Sequence, residues 1–61
     1  MKKYKFEDLT PYFKDYAVKQ YISRWIETHP NETLSYDDAM ACCFDDEETM
    51  YTREGEVILE L

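Results

Sequence analysis

The chain has 61 residues, 14 of them acidic and 7 basic, with a net charge of −7. A chain this short buries only about 60% of the surface its unfolded form exposes, so residues 1–61 make one domain with no room for a deep substrate cleft. The acidity sets direct nucleic-acid binding aside, because a phosphate backbone repels such a surface.

In chain order, Lys3-Tyr4-Lys5-Phe6 alternates polar and aromatic residues and predicts a short half-buried strand. Behind the basic start Met1-Lys2-Lys3-Tyr4-Lys5 there is no apolar run, so no signal peptide is expected there, and no stretch reaches the length of a membrane span. Thr10-Pro11 is a helix-start signal, since Thr can cap free N–H groups and Pro is tolerated at the first helical position. The helix should run from about Pro11 to Thr28, stopping before Pro30. Ala17, Val18, Tyr21, Ile22 and Trp25 fall on one face, with Phe13 and Ile26 at its margins; this is the expected core stripe. The opposite arc carries Tyr12, Tyr16, Lys19, Ser23 and Glu27. Tyr12 and Tyr16 either form a contact surface or lie beneath the C-terminal segment. His29, at the end of the helix, is expected to cap its C-terminus.

Ser35 followed by Asp38 predicts a capped second helix over about Tyr36 to Phe44, with Tyr36, Ala39, Met40, Cys43 and Phe44 as its apolar stripe. Cys42 and Cys43 are adjacent, so their side chains point apart and a disulfide is not expected; both should be reduced and partly buried. Next comes Asp45-Asp46-Glu47-Glu48, whose charges oppose the macrodipole at the helix C-terminus. Thr49–Thr52 and Glu56–Leu61 then flank Arg53-Glu54-Gly55, where the single glycine suits a three-residue hairpin loop. On the last strand Val57, Leu59 and Leu61 share one face, and Ile58 lies opposite with Glu56 and Glu60. The fold class is therefore α+β: a short N-terminal strand, two helices and a C-terminal β-hairpin, in the order β-α-α-β-β.

Neither a phosphate loop, a nucleophile elbow nor a paired-histidine zinc motif occurs, and the acidic pairs lack the alternation and glycine of a calcium loop. The chain is expected to be neither an enzyme nor a carrier of a metal or cofactor. What stands out is charge segregation: residues 1–30 carry +2 and residues 31–61 carry −9. Such a field steers encounter with basic surfaces. If the acids do more than confer solubility, the contact set is Asp37, Asp38, Asp45, Asp46, Glu47, Glu48, Glu54 and Glu56, with Tyr12 and Tyr16 as an aromatic addition. The expected partner is a basic protein surface, the groove of a nucleic-acid-binding protein being the natural one, because spaced carboxylates imitate a phosphate backbone. The alternative is an antitoxin or regulatory subunit that neutralises a cognate partner, possible as a homodimer through the Tyr12 and Tyr16 face.

The run Tyr4-Lys5-Phe6-Glu7-Asp8-Leu9-Thr10-Pro11 resembles the opening of small bacteriophage and mobile-element proteins, and Tyr51-Thr52-Arg53-Glu54-Gly55-Glu56 is similar to their closing hairpin. The long helix is more aromatic than is usual in that group, where Ala, Glu and Lys are commoner. The resemblance implies an inhibitor of a host defence or regulatory protein, as anti-CRISPR proteins are, acting in the cytoplasm; it transfers no functional residue.

Overall fold

The computed structural model describes residues 2–58. A single 3₁₀ turn, Phe6–Asp8, precedes helix α1, Pro11–Thr28, and helix α2, Tyr36–Asp45. An antiparallel hairpin follows, β1 being Met50–Tyr51 and β2 Val57–Ile58, paired Met50 to Ile58 and Tyr51 to Val57. The α+β mixture of two helices and a C-terminal hairpin is thus present. The part of the last strand expected over residues 59–61, with Leu59, Glu60 and Leu61, lies outside the described residues.

The expected N-terminal strand is not formed. Its place is taken by one antiparallel bridge, in which Tyr4 N–H donates to Tyr51 O at 2.9 Å and Tyr51 N–H to Tyr4 O at 2.8 Å, followed at once by the 3₁₀ turn. The reason lies in the spacing of Phe6 and Leu9, both buried. Three residues apart, they would point to opposite faces of a strand, whereas a 3₁₀ turn with three residues per turn places them on one side.

Helix α1 starts at Pro11 as expected, yet the Thr10 side chain makes no capping hydrogen bond; the Thr10 carbonyl instead accepts the first helical bond, from Lys14 N–H at 2.8 Å. At the other end His29 does cap: its N–H donates to Trp25 O and Ile26 O, and its ring stacks on Trp25 at 4.2 Å between centroids. Ser35 caps α2, its hydroxyl accepting from Asp38 N–H at 3.2 Å.

The buried side chains, Phe6, Leu9, Ala17, Val18, Ala39, Cys43 and Tyr51, form one cluster. Ala17 and Ala39 let the backbones of the two helices approach, and Val18 is sealed completely. The expected stripes are narrowed accordingly. Tyr21, Ile22, Trp25 and Met40 are half-buried, Ile26 and Phe44 are exposed, and exposed Tyr36 donates its hydroxyl to Asp15 at 2.8 Å, pinning the start of α2 to α1. Cys42 is exposed rather than partly buried, because it sits on the solvent side of α2 while Cys43 faces the core; both are free thiols.

Gly55 adopts φ +85°, closing the loop with its N–H on Thr52 O at 3.0 Å. It also lies so close to α1 that a Cβ there would stand 2.7 Å from the Phe13 carbonyl oxygen. Gly55→Ala therefore combines backbone strain with a clash against main chain, and is expected to cost about 2 kcal/mol or more in urea unfolding. Tyr51→Ala should cost about 3–5 kcal/mol, comparable with the whole stability of so small a domain, and abolish the cooperative transition; Tyr51→Phe, which keeps the ring, should melt within a few degrees of the parent.

Candidate functional site

The eight carboxylates of the expected contact set, Asp37, Asp38, Asp45, Asp46, Glu47, Glu48, Glu54 and Glu56, are all exposed, but the fold distributes them over three places. Asp37 and Asp38 occupy the first turn of α2, where the helix dipole favours them. Asp38 and Asp45, seven residues apart, share the solvent face of α2 with Ala41 and Cys42 between them, about 10 Å apart along the axis. Glu54 and Glu56 belong to the hairpin loop, which rests on the Phe13–Tyr16 side of α1, whereas α2 lies against the side carrying Asp15.

Asp46 does more than add charge. Its Oδ1 accepts from Glu48 N–H at 3.0 Å and Thr49 N–H at 3.2 Å, and its Oδ2 accepts from the Thr49 hydroxyl. The carboxylate thereby turns the chain from α2 into β1. The bond from Thr49, followed by those from the two backbone N–H groups, holds its pKa below the usual carboxylate range in spite of partial desolvation. Position Asp46 at the helix end is unfavourable to the dipole, and these three donors offset it. Asp15 is also held low, first by Lys19 at 2.9 Å and then by the Tyr36 hydroxyl, whose own pKa rises because it donates to that carboxylate.

The two tyrosines separate. Tyr12 is 77% exposed, edge-on to Phe13 at 5.2 Å between centroids. Tyr16 is half-buried beside Gly55, under the hairpin loop. Exposed Phe44 packs edge-on against Phe6 at 4.8 Å, with Lys14 Nζ 5.6 Å from its ring centre.

A feature the sequence did not announce is an open hollow of about 350 Å³ between the C-terminal half of α1, the turn at Asp46 and the hairpin. Tyr21, Arg24, Trp25, Thr28, Asp46, Thr49, Tyr51 and Val57 line it. A second hollow of about 260 Å³ adjoins it, bounded by Tyr16, Gln20, Gly55 and Glu56 and sharing Arg24 and Val57. Burial pushes the Tyr51 phenol up to about 12, the Cys43 thiol beside it adding to the effect; burial also raises Cys43 itself and Tyr21. Both tyrosine hydroxyls are therefore protonated at neutral pH. The spacing Tyr21-x-x-x-Trp25 on α1 is the signal that marked one wall; the other walls come from chain distant in sequence.

Among the described residues no group of three or more His, Cys, Asp or Glu side chains is placed to hold a metal ion, and no helix is long and apolar enough to cross a membrane. Compared with protein-family models, curated proteins and solved structures, the chain matches none.

Asp46→Ala is expected to lower stability by about 1 kcal/mol by removing the acceptor for two N–H groups, and Asp46→Asn, which retains a carbonyl oxygen, by less; urea melts of both compare them. Since Asp15 and Asp46 have depressed folded-state values, the unfolded chain binds more protons between the folded and unfolded pKa. Their contribution is complete above about pH 4 and is lost as pH falls through the folded values. Urea midpoints measured from pH 6 to 2 should show this loss, and Asp46→Asn should flatten it.

Proposed function

We propose that the chain is a small protein-binding inhibitor that occupies a basic, nucleic-acid-binding surface of a partner protein, in the manner implied by its resemblance to small phage inhibitors. The observation that carries this reading is the exposure of all eight carboxylates of the set from Asp37 to Glu56, against a second half whose only basic residue is Arg53. Carboxylates that served the fold would be paired; in this set, Asp46 alone has side-chain hydrogen bonds to described residues that shape the chain. Asp37 and Asp38 at one end of α2 and Asp45 at the other, about 12 Å along its axis, present charge to solvent, as do Glu47 and Glu48 beyond it. That span suits a groove built for a phosphate backbone.

A regulatory subunit that self-associates or neutralises a partner through an aromatic face is the second reading. It is favoured by Tyr12, whose ring stands 77% exposed on the surface of α1. The two readings place the contact on different elements and so separate by mutation.

Proteins retained by the immobilised chain should elute at moderate salt and be displaced by duplex DNA, because the attraction is between charges and the DNA competes for the same basic groove. Changing Asp45, Asp46, Glu47 and Glu48 together to the neutral amides should weaken retention at least tenfold, while Tyr12→Ala leaves it within about twofold. Retention that is indifferent to salt and to the amides but lost in Tyr12→Ala would transfer the site to the aromatic face.

A further inference from the structure

The hollow between α1 and the hairpin joins two features that the proposed function uses separately: aromatic surface and acidic charge. Three aromatic rings, Tyr21, Trp25 and Tyr51, line it, and Asp46, the point where the acidic run meets the core, stands at its edge. Trp25 is held in place by its near-parallel stack on His29, with 13° between the rings. Asp46 lines this hollow and Glu56 the adjoining one, and Arg24 is the sole basic side chain among the described residues lining either hollow. Ring faces attract a cation, and a carboxylate beside them supplies its counter-charge.

We infer that this hollow is the anchor for one arginine or lysine side chain of the basic partner, its stem over the half-buried Trp25 and Tyr21 rings and its charged head at Asp46. The inference rests on the reading of the chain as a binder of basic surfaces and says where on the chain the central contact falls. It gives the interface an aromatic centre with carboxylates around it, the arrangement in which an arginine contributes most. Arg24 then acts as a brake, since it brings a like charge near the guest.

Trp25 is the chain's single tryptophan, so its fluorescence reports on the hollow directly. Titration with a hexa-arginine amide at low salt should change that fluorescence saturably and shift the Trp25 indole N–H resonance. Asp46→Asn, which keeps the turn's acceptor, should weaken the effect severalfold. Arg24→Gln, at an exposed position that bears little on folding, should strengthen it by about threefold, the size of a like-charge repulsion across a few ångströms of water-like medium. Weaker binding in Arg24→Gln, or a larger response to hexaglutamate, would overturn the inference in favour of an anionic guest. A fluorescence change that follows protein concentration alone would overturn it in favour of a second copy of the chain. Peptide-induced shifts at Asp37, Asp38 and Glu47 without one at Trp25 would remove the anchor and leave the acidic-surface reading standing. If no basic peptide binds at all, both fall.

Discussion

Tyr51 holds the parts of this chain together. Its backbone exchanges two hydrogen bonds with Tyr4 on one side and pairs with Val57 on the other, so the N-terminal segment and both arms of the hairpin meet at one residue. Its ring is 96% removed from solvent, edge-on to Phe6 at 5.9 Å and beside the Cys43 thiol of α2. A two-residue strand pair has little stability alone; anchored through a buried aromatic to a helix and to the 3₁₀ turn, it becomes part of the core.

From that anchor the rest of the packing follows. The core is narrow, with an alanine buried on each helix, and larger side chains such as Phe13, Tyr21, Ile22 and Met40 stand at its margins. Some become tethers, as Tyr36 does through Asp15. Others line the hollow beneath the hairpin, where Trp25 and Tyr21 are half-buried. The aromatic richness that a 61-residue chain needs for stability therefore also leaves aromatic surface open to a partner.

Electrostatics divides in a similar way. Asp15 and Asp46 have donors that lower their pKa and tie elements to one another. Asp37, Asp38, Asp45, Glu47, Glu48, Glu54 and Glu56 face solvent around α2 and the hairpin loop, where their mutual repulsion is tolerated because water screens it. Asp46 belongs to both groups, since it shapes the turn and also borders the hollow. This is why the neutral amide, and not alanine, separates its charge from its structural part.

Both helices, bounded by Pro11, Pro30 and the Ser35 cap, and the hairpin closed at Gly55 are legible in the residues alone. Those follow from short-range rules of periodicity, capping and backbone freedom. The charge asymmetry between the halves was equally legible. In the N-terminal segment the alternation at Tyr4 and Phe6 suits a strand, while the competing spacing of Phe6 and Leu9 becomes decisive only once the buried side is known. Which tyrosine stays exposed, which acid turns the chain and where a hollow opens are decided only in three dimensions. Each depends on chain segments far apart in sequence, Gly55 against Phe13 and Asp46 near Trp25, whose meeting no local pattern encodes.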